Sequence, residues 1–353
     1  MVPPTWVLLV VPAVACRFVV YVGDEEMSAE ELLVVPDHNI IGLGTADAEE
    51  HTPGARSSGR FNASQFACRN VDKNLDGWGV SWYVEGSDFP RRIRSPEAVA
   101  IDGRPHGELL KLIKGDPIIP FMATNNSCVS DVVPERRFPL RSKAILAHVR
   151  AASAGGLDKT NSHPFVYNTL TWVHNGAIAA FDEVKRRLRA TLDPSILGLV
   201  AGDTDSEYAG AVFVDQLKGF PQGPSYSVDQ LKAAMRTTLK HITELNEEFD
   251  DGNSLNFGVS DGKNLVVARY RSCPNEDPPT LYYKLARNGV VVASEPLDTD
   301  PHHLLDWTLL GKDRFLSYGP SVGVVVECID PLTCDPCDTP AAAFHQGRLV
   351  VSK

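Results

Sequence analysis

The sequence predicts an α+β fold, in which strands and helices occupy separate stretches of the chain. Predicted strands come first, three helices follow between residues 177 and 249, and strands then dominate to residue 328. This order is typical of helices packed on antiparallel sheets. A length of 353 residues with 43% hydrophobic residues supports a sizeable core, and no linker or repeat divides it. We therefore predict one large domain.

The predicted strands are short apolar runs rich in Val, Phe, Tyr and Trp, separated by turn residues. They cover residues 17–22, 78–84, 144–149, 169–173, 254–259, 264–270, 280–286, 290–293 and 322–328. Asp76-Gly77 and Asp261-Gly262 mark turns. The helices are predicted at 177–192, 205–217 and 228–249 from their apolar spacing. Residues 42–59 and 86–140 are predicted to be loops or irregular.

Composition excludes several classes of protein. The formal net charge is −11, and phosphate binding needs clustered Lys and Arg, so we predict no nucleic-acid partner. No apolar run reaches 18 residues, so no membrane span is predicted. Three of the seven cysteines, Cys328, Cys334 and Cys337, lie close together among prolines. That pattern favours a surface loop, with or without one local disulfide, over zinc, and we predict no metal and no cofactor.

The first fifteen residues predict a removable leader. Residues 6–11 are apolar, and Ala13-Val14-Ala15 forms a small-x-small site before Cys16, as in a short secretory signal. No Lys or Arg precedes the apolar run. A signal, a propeptide and a misassigned start codon therefore stay open as explanations. All three could leave Cys16 at or near the start of the working protein.

Four polar clusters stand at or just beyond strand ends. They are HVRAAS at 148–153, NSHPF at 161–165, HNG at 174–176 and GDTDSE at 202–207. Each alone has an ordinary explanation, such as a solvated strand end, an Asn-Gly turn or a capped helix start. Their combination with a cysteine near the chain start indicates a catalytic site.

Together these segments resemble the class II glutamine amidotransferases, which are N-terminal nucleophile hydrolases. The resemblance also includes Cys16-Arg17-Phe18, NLDGWGV at 74–80 and ASEPL at 293–297. It spans residues 16–330, with 331–353 as a C-terminal tail of the same domain. Within the class the chain is most similar to the fungal glutathione-degradosome amidotransferase subunit, then to the bacterial ergothioneine-pathway γ-glutamyl amidohydrolase. The resemblance implies a four-layer αββα sandwich.

The chemistry of an N-terminal cysteine explains why Cys16 would have to lead the chain. A thiolate is the nucleophilic form, and a free α-amine with a pKa of about 7.7–8.0 can serve as its base. A peptide bond at Ala15 would remove that base. The resemblance implies that Asn175 and Gly176 donate hydrogen bonds to the oxyanion. A buried structural cysteine is the alternative reading of Cys16.

The resemblance also implies a substrate pocket for a glutamyl unit. Arg150 and Ser153 would bind the α-carboxylate, and Asp205 the α-ammonium. Trp78 and Gly79 would form a wall beside the nucleophile. His174 would lie at the same pocket, where orienting its loop is a more ordinary role than proton transfer.

These features predict a cysteine-dependent hydrolase of a γ-glutamyl amide. The favoured substrate is glutathione, cleaved to glutamate and cysteinylglycine, with a peptidase-type protein partner. Glutamine, or a γ-glutamyl intermediate as in ergothioneine biosynthesis, is the alternative substrate.

Little chain follows the match, so ammonia would go to a separate subunit or no transfer would occur. A retained leader would instead make an inactive binding scaffold. An odd cysteine count and a catalytic thiol favour the cytoplasm, whereas a true signal at residues 1–15 would point to secretion or an endomembrane lumen.

Overall fold

The computed structural model describes residues 16–36, 39–40, 76–101, 104–114, 139–152, 155–221, 223, 225–249, 252–298, 300–331, 342–345 and 348–351. The predicted leader, the predicted loop at 42–59 and Ser153 lie outside these residues. Cys16 and Cys273 are free thiols, and Cys328 is in a disulfide bond. Within the described part of the chain, no helix is long and apolar enough to cross a membrane.

The described strands, in chain order, are β1 (Arg17–Ser28), β2 (Trp78–Tyr83), β3 (Pro90–Ser95), β4 (Ala100–Ile101), β5 (Arg104–Pro105), β6 (Arg141–Val149), β7 (Phe165–Tyr167), β8 (Leu170–Ala177), β9 (Ser254–Ser260), β10 (Leu265–Arg269), β11 (Tyr282–Ala286), β12 (Gly289–Ala293), β13 (Thr308–Leu309), β14 (Arg314–Gly319), β15 (Gly323–Cys328), β16 (Ala342–His345) and β17 (Arg348–Val351). The described helices are α1 (Ala29–Leu33), α2 (Gly107–Lys114), α3 (Phe181–Thr191), α4 (Pro194–Leu197), α5 (Asp205–Gln216), α6 (Val228–Leu245) and α7 (Pro301–Leu304).

Two large sheets contain most of these strands. The first sheet has the order β13-β11-β12-β1-β6-β2-β3, and the second has β17-β16-β15-β14-β10-β9-β8-β7. All the strand pairs recorded within both sheets are antiparallel. The short pair β4-β5 stands apart. The predicted α+β class is confirmed.

Three apolar clusters show how the layers pack. One lies between the sheets and includes Phe18 of β1 and Val173 of β8. A second packs the outer face of the second sheet against α3, α5 and α6. The third packs the outer face of the first sheet against α1 and α2. Because helices cover both outer faces, the architecture is the expected αββα sandwich.

The position of β1 determines where Cys16 lies. β1 is flanked by β6 and β12, with Arg17 opposite Val149 and Val19 opposite Ala293. The first residue of β1 therefore lies beside the last residues of both neighbours, since the pairs are antiparallel. Cys16, which precedes β1, is thus brought next to the segments that follow β6 and β12.

Several predictions about local structure were wrong, and two of them concern the stretch 86–140 and the first long helix. The stretch 86–140 was expected to be irregular, but it contains β3 and α2. The first long helix was expected from residue 177 but begins at Phe181. Side chains distant in sequence hold the preceding residues out of the helix: the Ile178 amide donates to Asp205, and the Ala179 amide donates to Asn253.

Candidate active site

Cys16 lies against the backbone that follows β6. Its thiol donates to the Ala151 carbonyl at 3.4 Å, and the Ala151 amide donates back to the sulfur at the same distance. The residue is only half-buried. Burial of the thiol nevertheless raises its pKa to about 11, and the Asp205 carboxylate acts in the same direction. The Ala151 contact and the positive charges of Arg150 and Arg17 oppose that rise.

This environment has a direct chemical consequence. A thiol with a pKa near 11 is almost wholly protonated at neutral pH, so Cys16 needs a base within reach before it can attack an amide.

Arg150 is buried beside the cysteine, with only 3% of its surface exposed. Its guanidinium donates to the carbonyls of Gly156 at 3.1 Å and Gly155 at 3.3 Å. The Arg150 amide donates to Gly77 O, which ties the residue to the start of β2. A guanidinium in this position can also donate to a carboxylate, because its fork provides several parallel N–H donors.

Asp205 begins α5 and is buried because that helix is enclosed: its residues from Asp205 to Val214 are all buried. One carboxylate oxygen accepts from the Ile178 amide at 3.0 Å, and the other from the Ser206 amide at 2.8 Å. A negative charge at a helix start is favoured by the helix dipole. These hydrogen bonds fix the Asp205 carboxylate, whose charge raises the pKa of Cys16.

Asn161 connects the two charged groups. Its side-chain amide donates to Gly156 O, next to Arg150, and its side-chain oxygen accepts from the Asp203 amide, just before α5. The sequence motif at 161–165 includes Asn161 but does not indicate a role for it. Asn161 is 4% exposed, and its side chain holds the loop around Gly156 against the residues that precede α5.

Asn175 and Gly176 lie at the end of β8, in the second sheet. Asn175 is fully buried, and its side-chain amide donates to Ser294 Oγ at 3.2 Å. Gly176 has φ +148°, and a Cβ placed there would stand 1.9 Å from Ser254 O. Only glycine fits this close approach of β8 and β9.

Three buried histidines surround this end of the sheets. His148 and His163 stack with ring centroids 3.9 Å apart, and His148 Nε2 donates to the His174 carbonyl. His174 Nε2 donates to Ser254 O, and its Nδ1 lies 2.9 Å from Ser206 Oγ. Burial lowers the pKa of His148 to about 3 and lowers the pKa of His163 and His174. Neutral, buried rings suit positioning rather than proton transfer.

The predicted wall residues point to opposite faces of the first sheet. Gly79 faces the second sheet, where a Cβ would stand 2.2 Å from His163 O. The Trp78 indole instead packs in the outer cluster, 5.2 Å from the His106 ring. The structure thus brings Cys16, Arg150 and Asp205 together, with Asn175 linked through Ser294, and places the Trp78 side chain elsewhere.

Comparison with known proteins supports the same reading. A model of the family described as class-II glutamine amidotransferases matches residues 58–287, about two thirds of the chain. "Probable glutamine amidotransferase DUG3" of Saccharomyces cerevisiae is 28% identical over 332 residues, which are 86% of this chain and 81% of that protein. "Putative glutamine amidotransferase YafJ" of Escherichia coli is 24% identical over 197 residues, 54% of this chain and 59% of that protein.

Solved structures share the fold. A glutamine aminotransferase class-II domain protein from Silicibacter pomeroyi superposes with a TM-score of 0.54 at 20% identity, covering 90% of this chain and 100% of its own. The allosteric regulatory enzyme of purine biosynthesis has a TM-score of 0.50 at 14% identity, with 90% of this chain and 49% of that one covered. This chain therefore spans about half the length of the purine enzyme.

Proposed function

The chain belongs to the class II glutamine amidotransferases and is an amide-hydrolysing enzyme, and from this premise we propose that it uses Cys16 to cleave the γ-glutamyl bond of glutathione. Membership of this family supports glutamine-type amides as substrates in general. The assignment of glutathione as the substrate has further support, because the motifs of this chain resemble those of the fungal glutathione-degradosome subunit.

One observation carries the proposal: two buried groups of opposite charge, Arg150 and Asp205, both act on the Cys16 thiol. Arg150 adjoins the Ala151 backbone that contacts the thiol, and the charges of Arg150 and Asp205 both act on its pKa. A γ-glutamyl unit ends in a carboxylate and an ammonium, which these charges would bind. The γ-carbonyl would then be held at the sulfur.

The reaction follows from these positions. The α-amine of Cys16, freed by removal of residues 1–15, takes the thiol proton as Sγ attacks the γ-carbonyl. Asn175 and the Gly176 amide stabilise the oxyanion. The C–N bond then breaks, and the α-ammonium protonates the departing amine of cysteinylglycine. Water attacks the thioester with the amine as base, which releases glutamate and restores the thiol.

Partner and compartment complete the proposal. The product cysteinylglycine is a dipeptide, and a peptidase-type partner would consume it.

Ser153 would add a hydroxyl to carboxylate binding, and His174 would keep Ser206 and the start of α5 in place. We place the enzyme in the cytoplasm, because catalysis requires Cys16 as a free thiol and a reducing compartment maintains it; the Cys328 disulfide is, among the described residues, the one observation of a kind more common in oxidising compartments.

The test is glutamate release by the purified, processed protein, with glutathione and glutamine as substrates. Turnover of glutathione with a higher kcat/KM than glutamine supports the proposal. Cys16→Ala abolishes activity, and Cys273→Ala, which removes the other described free thiol, leaves it unchanged. No glutamate from glutathione, with or without a peptidase partner, would refute the assignment.

Glutamine is the second candidate substrate, because Arg150 and Asp205 would contact only the amino-acid end that both compounds share. A kcat/KM for glutamine well above that for glutathione would favour it. A γ-glutamyl intermediate of biosynthesis would fit the same end.

An inactive scaffold is the candidate from another class. It is favoured by the pKa of Cys16 near 11, because a retained leader would leave the thiol protonated and without its amine. An intact mass that includes Met1 would support it.

A further inference from the structure

Ser294 lies between the two sheets, just after β12, and contacts both halves of the site. Its Oγ accepts a hydrogen bond from the Phe18 amide at 3.0 Å. The same oxygen accepts from Asn175 Nδ2 at 3.2 Å. Phe18 follows the nucleophile by two residues in the first sheet, and Asn175 belongs to the second sheet. One hydroxyl therefore joins the strand that carries Cys16 to the side chain proposed to bind the oxyanion.

Backbone pairing fixes the position of this hydroxyl. The Ser294 amide donates to Phe18 O at 3.0 Å, which extends the pairing of β12 with β1 beyond Ala293. Ser294 is 1% exposed, and Asn175 is fully buried, so water does not compete for these bonds. Their geometry is set by the packed sheets rather than by solvent.

The next residue reinforces the same contact. Glu295 forms an ion pair with Arg17 at 2.8 Å, and Arg17 donates to the Cys16 carbonyl at 3.2 Å. The Arg17 side chain is 3% exposed and that of Glu295 is 15% exposed. Two consecutive residues after β12 thus hold residues 16–18 in place.

We infer that Ser294 is a positioning residue that sets the spacing between the Cys16 nucleophile and the Asn175 oxyanion donor. This inference rests on the proposed function of Cys16 and Asn175. The Asn175 amide nitrogen carries two hydrogens, and the bond to Ser294 holds one of them, so the orientation of the other is fixed. Donors that are held in place before the reaction stabilise developing charge without reorganisation.

A hydroxyl that only satisfied a buried amide would affect stability but not the chemical step. The test must therefore separate kcat from KM and from folding. Ser317 provides a matched control, because it is also a 1% exposed serine on a strand of the second sheet, and its Oγ has no hydrogen-bond partner among the described residues.

The experiment is a double-mutant cycle with glutathione as substrate, using Ser294→Ala, Asn175→Ala and the double variant. Loss of an oxyanion donor costs about 10²–10³ in kcat. We expect S294A to lower kcat by about 10–100-fold with KM changed less than about threefold, and S317A to leave both unchanged. We expect the double variant to match N175A, because Ser294 acts through Asn175.

Three outcomes would overturn the inference: an unchanged kcat in S294A, an equal loss in S317A, or a double variant that shows the product of the two single losses. Ser294→Cys keeps the side-chain volume but offers a weak acceptor, so it should lose at least about tenfold in kcat while folded. Full activity in S294C would also contradict the inference, and this variant decides the matter if S294A does not fold.

A readout independent of turnover separates this inference from the proposed function. The Asn175 side-chain amide resonance, assigned from its absence in N175A, should shift in S294A and not in S317A. A wild-type enzyme inactive on glutathione and glutamine would refute the proposed function. An unshifted Asn175 resonance in S294A would refute the role of Ser294 in positioning Asn175, whatever the substrate.

Discussion

Asp205→Asn removes one buried negative charge while the side chain keeps its size. Asp205 is 5% exposed and accepts from the amides of Ile178 and Ser206. Asparagine can accept only one of these bonds, so one buried amide loses its partner. We expect a loss of about 1–3 kcal/mol in the free energy of unfolding, which a domain of ordinary stability tolerates.

The effect on catalysis is larger and depends on the substrate. A hydrogen bond to a charged group contributes about 1.5–3 kcal/mol, and about 1.4 kcal/mol corresponds to tenfold. If Asp205 binds the α-ammonium, D205N lowers kcat/KM for glutathione by roughly 10–150-fold. N-acetylglutathione has no ammonium, so its slower hydrolysis should be the same in both enzymes. Steady-state glutamate or acetylglutamate release measures both.

A second readout changes in the opposite direction. The Asp205 carboxylate raises the pKa of Cys16, so its removal lowers that pKa and increases the thiolate fraction. Alkylation of Cys16 by iodoacetamide at pH 8, followed by peptide mass mapping, should be faster in D205N. An equal loss of kcat/KM on both substrates, or slower alkylation, would refute the placement of this charge.

Three other substitutions test the remaining parts of the site. Arg150→Gln should also lose at least about tenfold in kcat/KM but should slow Cys16 alkylation, because the Arg150 charge lowers the Cys16 pKa. Gly176→Ala should cost at least about 3 kcal/mol in urea unfolding, since its Cβ would meet backbone at 1.9 Å where φ is positive. Below pH 6.5 the free energy of unfolding should fall less steeply with decreasing pH in His163→Phe than in the wild type, by about 1.4 kcal/mol per pH unit. Burial keeps folded His163 neutral, while the unfolded chain binds a proton as the pH drops.

Gly176→Ala has a matched control, and each of the three substitutions has a result that would contradict it. Gly107→Ala, where a Cβ meets nothing within 4 Å, should change stability by less than about 1 kcal/mol. Faster alkylation in R150Q, a G176A protein as stable as G107A, or an unchanged pH slope in H163F would each contradict the corresponding reasoning.

The sequence predicted most of the buried, apolar strands, but it missed the buried central strand β14 and strands at sheet edges such as β3. β3 closes one edge of the first sheet and carries Arg92 and Arg94, so no hydrophobic pattern marks it. Those arginines donate to the carbonyls of Pro164, Thr160 and Ser162, contacts that only the folded chain provides. β1 likewise runs to Ser28 rather than residue 22: exposed acidic residues occupy a register shift after Val22, and Met27 and Ser28 then pair with β6.

The residues proposed for the site could be singled out from the sequence where their chemistry is distinctive, and not where their role is positional. Cys16, Arg150 and Asp205 stand in motifs whose charges or reactivity indicate a site. Ser294 resembles any strand-end serine, and its partner Phe18 lies 276 residues away. The direction of the Trp78 side chain depended on which face of β2 was covered by helices, and alternation alone does not decide between two buried faces.

N-terminal sequencing of natural protein with full hydrolase activity tests the central claim most directly. The account predicts a single sequence that starts Cys-Arg-Phe-Val, and an intact mass that corresponds to residues 16–353. A fully active preparation that starts at Met1, or at any residue between 2 and 15, would contradict it, because the α-amine would then be absent from the nucleophile.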